Sequence, residues 1–414
     1  MTEVTVDGAR LLADLEALAA VGDTGDGGNC RLALTDDDAG GRELVAGWMR
    51  DLGLDVRVDR IGNVVATRAG AGVAGDGGAL DAVMTGSHID TVRTGGRYDG
   101  TLGVLAGLEV VRALDDAGVR TRRPLSVAFF TDEEGSRFAP DMLGSLVYAG
   151  GMPLEDALDV VAIDGAVLGD ELERIGWAGE AAVPGPAPHA YVELHIEQGP
   201  VLEEQGVTIG AVTGVQGISW RELTLTGQAN HAGTTPMRLR RDAGYVAAAV
   251  TTAVRRLARE LGGHQVGTVG RLDLHPDLVN VVAARATMTV DLRNTDGAVL
   301  GEAERRLRAT VDELAAAEGV TAAWRELARF APVEFAPAVI ERVERAAERR
   351  GHSVMRLPSG AGHDAQMLAR MCPTGMVFVP SRAGVSHNPA EYTEPEHLAA
   401  GTQVLADVLV ELAA

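Results

Sequence analysis

The chain has 414 residues, 46% hydrophobic and 23% charged, which is ordinary for a globular protein and too long for one small core. Its formal net charge of −22 argues against nucleic acid or an anionic membrane as partner, since both need a basic surface. Cys30 and Cys372 belong to no close-spaced motif, which excludes a disulfide framework and a zinc finger and predicts free, buried thiols.

"MTEVTVDGARLLADLEAL" lacks a basic region followed by an apolar core, and no run approaches the ~20 apolar residues of a membrane span. The expectation is a cytoplasmic protein. "GARLLADLEALAAVG" and "AGGRELVAGWMRDLGL" have apolar residues at helical spacing and end at Gly, so two opening helices are predicted. "DVRVDRIGNVVATRAG" alternates and predicts a hairpin, followed by a flexible loop, "GAGVAGDGGA". "LDAVMT" predicts a buried strand, leading through "GSHIDTVRTGGRYDG" into a helix, "TLGVLAGLEVVRAL". "PLSVAFFTDEEG" and "AYVELHIEQGP" predict two more buried strands, each ending in polar residues. Strands alternating with helices indicate an α/β fold with a mostly parallel sheet, where sites form outside the carboxyl ends of the strands.

The pattern then changes. "GISWRELTLTGQANHAG" and "LVNVVAARATMTVDLRN" predict alternating strands, each followed by a long amphipathic helix. Residues 213–329 therefore predict an α+β module inserted between catalytic segments 1–212 and 330–414. The last segment returns to helix and a short buried strand, "TGMVFVP".

The candidate chemistry sits at the predicted strand ends. His88 and Asp90, separated by one residue at a strand end, fall on one face by alternation, which suits a metal-bound His whose other ring N–H meets a carboxylate. Asp99 has two oxygens with which to bridge two ions. Adjacent Glu133 and Glu134 repel unless cations or protons intervene; one as ligand and the other as general base relieves that. His195 ends the third strand, and His387 lies in "GVSHNPAE". His88, Asp99, Glu134, His195 and His387 thus form two His-plus-carboxylate sets sharing Asp99, and the donors suit Zn, Mn, Co or Ni. Each piece alone also has an ordinary reading: a loop HxD as structure, the Glu pair as a solvated helix start, His387 as a cap. Their repeated placement at strand ends favours a site.

"TGSHIDTVRTGGRYDGTLGVLAGLEVV", "FTDEEGSRF", "HIEQGPVLE", "GQANHAGTTPM" and "SHNPAEYT" resemble, in the same order and over most of the chain, the amidase and hydantoinase/carbamoylase family. That family lies within the di-zinc aminoacylase and carboxypeptidase superfamily. It includes N-carbamoyl-L-amino acid hydrolases, β-ureidopropionases and allantoate amidohydrolases. The resemblance implies a di-zinc exopeptidase-like catalytic domain, with the inserted module as lid and homodimerisation domain. It implies His88, Asp99, Glu134, His195 and His387 as ligands of two divalent ions, Glu133 as base and Asp90 as orienter of His88. His231 becomes the oxyanion-stabilising group, reaching the neighbouring subunit's site in relatives. Asn280 and Arg293 bind the substrate carboxylate, and Gln198 contacts its amide end. His363 and Asp364 resemble a family block near the site but receive no metal role. His189, His264, His275, His352 and His397 are read as surface or structural. The implied substrate is a small ureido acid: first an N-carbamoyl-L-amino acid, then allantoate, then N-carbamoyl-β-alanine. A metallopeptidase or deacylase and a catalytically dead scaffold are the competing readings.

Overall fold

Strands buried along their whole length build the centre of a nine-stranded mixed sheet in this computed structural model, which describes residues 3–74 and 78–414. The chain divides into two units, Met1–Gly214 with Glu334–Ala414, and Val215–Val333. The larger unit supplies β1 (Asp55–Val58), β2 (Val64–Arg68), β3 (Val83–His88), β4 (Leu125–Phe130), β5 (Ala190–Ile196) and β6 (Ile209–Val215). The smaller unit holds β7 (Gly217–Thr226), β8 (Val266–His275), β9 (Arg285–Asn294) and β10 (Thr321–Phe330). The chain then returns as β11 (Val333–Glu334), β12 (Val354–Ser359) and β13 (Thr374–Val379).

The large sheet runs β1-β2-β4-β3-β5-β13-β6-β11, with β12 also on β6. Pairs β3–β4, β3–β5 and β5–β13 are parallel, and the flanking pairs β1–β2, β2–β4 and β6–β13 are antiparallel. Every residue of β3, β4, β5 and β13 is buried, as expected of parallel strands covered on both faces. The predicted "LDAVMT" strand in fact begins at Val83 and takes in Gly86, Ser87 and His88. The helix Thr101–Asp116 follows the polar loop and is buried along most of its length. The opening helices are Gly8–Ala19 and Asp36–Asp51. In the second, Arg42 bonds Asp38 at 2.7 Å, with both side chains buried, and reaches the Gly62 carbonyl and Thr131 Oγ1. The predicted loop "GAGVAGDGGA" lies in part outside the described residues, at 75–77. Among the described residues no helix is long and apolar enough to cross a membrane. Cys30 and Cys372 are free and only half-buried, less enclosed than expected.

The smaller unit is an antiparallel sheet in the order β10-β7-β9-β8. Helices Ala243–Leu261 and Gly297–Glu318 cover one face, packing Val246, Val250, Leu307 and Val311 against Leu223 and Met288. Only two of its four strands were expected. β8, "VGTVGRLDLH", is mostly exposed and interrupted by a bulge between Val269 and Arg271, so little alternating apolar signal remains. β10, "TAAWRELARF", is built largely of good helix formers and is likewise bulged, between Glu326 and Ala328. The second expected strand also starts later than "LVN", at Arg285.

Candidate active site

Two neighbouring parallel strands aim two imidazoles at one carboxylate. His88 ends β3 and His195 lies near the end of β5. Nδ1 of His88 lies 2.9 Å from the Asp90 carbonyl, and Nδ1 of His195 lies 2.8 Å from the Ile196 carbonyl. Each carbonyl can only accept, so both rings carry hydrogen on Nδ1 and turn Nε2 inward. Those Nε2 atoms lie 3.7 Å and 3.2 Å from Oδ1 of Asp99. Asp99 stands just before the helix Thr101–Asp116, and its other oxygen, Oδ2, lies 3.2 Å from Nε2 of His387. The same His387 nitrogen is 3.4 Å from Oε2 of Glu134. The five residues thus form two three-donor groups, His88–Asp99–His195 and Asp99–Glu134–His387, meeting at Asp99. Between Asp99 and the helix, Gly100 takes φ +67°, and a Cβ there would sit 2.4 Å from the His88 ring. Only Gly lets the backbone pass so close to a donor.

The electrostatics call for a cation. Burial, then Asp99 and Asp90, push Glu134 well above the usual carboxylate range; burial, then Asp364 and Glu134, do the same to Glu133. Burial works against ionised Asp99 as well, yet hydrogen bonds to His195 and His387 hold it well below its usual value. Burial opposes protonation of His195, but Asp99 pushes that ring up to about 9. Burial lowers His88 to about 4. Among the described residues the ion-pair partners of Asp99 and Glu134 are histidines alone. Two imidazole lone pairs converging on a carboxylate, beside acids that repel one another, fit a divalent metal ion, which would displace the protons now needed there.

Of the remaining expected residues, Glu133, Asp90 and Gln198 belong to the larger unit, and His231, Asn280 and Arg293 to the smaller. Glu133 lies beside it, Oε2 at 3.4 Å from His88 Nε2. Asp90 differs from expectation. β3 stops at His88, so strand alternation no longer sets the Asp90 side chain, and its carboxylate is 3.7 Å from His88 Nδ1, outside hydrogen-bond range. Instead the Asp90 carbonyl orients His88, while the carboxylate accepts from the backbone N–H groups of Glu133 and Glu134, at 3.3 Å each. Gln198, at φ +57°, donates from Nε2 to Asp99 Oδ2 at 2.8 Å and sits 3.4 Å from His387 Nε2.

In the smaller unit, His231 is exposed, and its Nδ1 accepts from the N–H groups of Gly233 and Thr234. The proton therefore resides on Nε2, making it a donor. Asn280 neighbours it: the Ala232 N–H donates to the Asn280 carbonyl at 2.8 Å. Arg293 binds Asp291 and stacks on Trp220, with 5.7 Å to the ring centroid. The expectation that Asn280 and Arg293 clasp one carboxylate fails within a single chain. His231 pairs with Val281 beyond the Arg285 end of β9, whereas Arg293 lies at the other end, more than about 20 Å away at ~3.4 Å per residue.

Several members of the site were not singled out from sequence. Glu193, fully buried in β5, accepts from Ser87 Oγ, Tyr191 OH and the Ala365 N–H. With His195 and His363 it forms a third donor group, and the His363 ring stands edge-on to His195 at 4.5 Å. The signal was a Glu two residues before His195, on the same face of a strand otherwise apolar enough to be buried. Glu391 and Ser386 lie in "SHNPAEYT" beside His387 and touch the Asp99 segment.

A partly parallel sheet whose strand ends deliver donor groups sharing a carboxylate, with a further Glu beside them, defines a metal-dependent hydrolase. Residues 84–411 match the model of peptidase family M20/M25/M40. The chain is 43% identical to an N-carbamoyl-L-amino-acid amidohydrolase of Rhizobium meliloti, over 99% of this chain and 97% of the relative. It is 40% identical to one of Geobacillus stearothermophilus, over 99% of both. A crystal structure of an amidase of the hydantoinase/carbamoylase family from Burkholderia multivorans superposes with a TM-score of 0.95 at 46% identity, covering 99% and 98% of the two chains. The chain belongs to the M20/M25/M40 family, on its hydantoinase/carbamoylase amidase branch.

Proposed function

We propose that the protein hydrolyses the ureido C–N bond of an N-carbamoyl-L-amino acid, yielding the amino acid, ammonia and carbon dioxide. The observation that carries this reading is the pair of donor groups meeting at Asp99 with Glu133 alongside, in a chain similar over its whole length to N-carbamoyl-L-amino-acid amidohydrolases. His88, Asp99 and His195 would hold one divalent ion, and Asp99, Glu134 and His387 a second, with Zn, Mn, Co and Ni all suited to these donors. Bound there, such ions supply Lewis acidity and bring the pKa of a bound water towards neutrality.

The chain's own groups do the rest. Glu133, beside the donor groups with Oε2 3.4 Å from His88 Nε2, takes the proton of the attacking water and returns it to the leaving nitrogen. His231, its tautomer set by Gly233 and Thr234, offers Nε2–H to the oxyanion. Arg293 presents a planar fork, already steadied by Asp291 and Trp220, to the substrate carboxylate. All 37 residues counted as Lys or Arg are Arg, so a lysine Schiff base is excluded.

The separation of His231 and Asn280 from Arg293 along β9 supports a homodimer in which the two ends of one lid serve different active sites. The edge strand β8 suits that assembly, with Val266, Leu272 and Leu274 exposed. The test is ammonia release by protein reconstituted with Zn, Mn, Co or Ni. The panel is N-carbamoyl-L- and D-amino acids, N-carbamoyl-β-alanine and allantoate, with dipeptides and N-acetyl amino acids followed by amino-acid release. Turnover of N-carbamoyl-L-amino acids above the other ureido acids is expected. Cleavage of dipeptides or N-acetyl amino acids with no ammonia from any ureido acid would overturn the reading.

A further inference from the structure

The two donor groups are not equally anchored. His88 and His195 belong to adjacent buried strands, and both are themselves buried. His387 is on a loop at φ +53°, with its side chain 47% exposed, and nothing in the sheet fixes its distance from Asp99. Glu391 spans that gap. It is buried at 5% exposure, and its Oε1 accepts from the backbone N–H groups of Tyr98 at 3.0 Å and Asp99 at 3.2 Å. Its Oε2 accepts from Ser386 Oγ at 2.9 Å, the residue before His387, and that hydroxyl also lies 3.2 Å from Asp99 Oδ2. The Asp99 segment is shaped to receive it: a Cβ at Gly96 would lie 2.1 Å from Glu391 Oε1.

We infer that Glu391 is a positioning residue that clamps the Asp99 segment to the His387 loop and so sets the affinity of the Asp99–Glu134–His387 group for its ion. This rests on the two-ion reading above. The clamp acts through hydrogen-bond geometry. A Gln keeps an acceptor for the Tyr98 and Asp99 N–H groups and a polar contact for Ser386; an Ala removes all three. In the His88–Asp99–His195 group two of the three donors are held by β3 and β5 and only Asp99 by the clamp, whereas the other group also draws His387 from the clamped loop, so the first depends less on it.

The test is Zn(II) binding to metal-free protein by equilibrium dialysis, with both stepwise constants measured for wild type, Glu391→Ala, Glu391→Gln and Ser386→Ala. Loss of a group that orients metal ligands weakens binding by roughly 10–100-fold. Glu391→Ala is expected to weaken the second ion by about that factor and the first by less than about threefold. Glu391→Gln should stay within about threefold of wild type for both, and Ser386→Ala, which leaves the buried carboxylate in place, should move in the direction of the Ala variant by less. Equal weakening of both ions, a Gln variant as poor as Ala, or unchanged constants in both Ala variants would overturn the clamp. A wild-type chain that binds fewer than two ions overturns the two-ion reading, and the clamp with it.

Discussion

The two units solve opposite problems. The larger holds 22 Arg against 46 Asp and Glu, and the smaller 15 Arg against 13. In the larger unit acids are gathered and buried: Asp90, Asp99, Glu133 and Glu193 all lie in the interior among strands with no exposed face. In the smaller unit one sheet face is covered by two helices and much of β8 and β10 is open. A buried acid cluster is stable only if cations or protons neutralise it. An open sheet carrying balanced charge and outward-facing donors instead suits an anionic substrate or a second chain. The contrast is between a unit organised to hold metal and a unit organised to present groups.

Substitutions in the two units sharpen or break that contrast. The largest effect is expected from Glu133→Gln, which removes the proposed base while leaving both donor groups in place. Ammonia release should fall by roughly 10²–10⁴-fold in kcat with bound metal unchanged; undiminished turnover at full metal content would remove Glu133 from the chemistry. Arg42→Ala tests the interior of the larger unit without touching a donor. It strands buried Asp38 and should lower stability by about 3–5 kcal/mol, read by urea unfolding. Arg293→Ala in the smaller unit removes a charged hydrogen-bonding group worth about 1.5–3 kcal/mol, so kcat/KM should fall by roughly 10–100-fold, chiefly through KM. A drop confined to kcat would contradict a carboxylate-binding role. Glu302→Ala breaks an exposed i,i+3 pair with Arg305 and should cost no more than about 0.5 kcal/mol in the same unfolding assay.

The same contrast explains what was legible in the sequence. β4, "LSVAFF", and β5, "AYVELHI", are apolar enough to read as buried strands, as is the first half of β3, "VMTGSH", and the polar residues at or just beyond their ends stand out against them. That is why His88, Glu133, Glu134 and His195 were found together with Asp99 and His387. The open strands β8 and β10 bury too little to carry a period-2 signal, so half the small sheet was invisible. Asp90 was assigned a contact on the premise that β3 continues; the strand ends two residues earlier, and a backbone carbonyl takes that contact. Glu391 was hidden for another reason. Its partners are the backbone N–H groups of Tyr98 and Asp99, nearly three hundred positions away, and the spacing of side chains says nothing about such a bond. Asn280 and Arg293 stand thirteen positions apart in a segment that reads as one strand, so their separation was legible; the shared carboxylate role came from the resemblance, which took no account of it.

As proposed, the buried acids and histidines of the larger unit form a two-ion site that drives ureido hydrolysis. Its most direct test is to strip the protein of metal, titrate it with Zn(II) or Mn(II), and follow ammonia release from an N-carbamoyl-L-amino acid at each addition. No turnover is expected in the metal-free protein, and full turnover only as the ratio reaches two ions per chain. Full activity in the presence of a strong chelator, or a plateau at one ion, would contradict it.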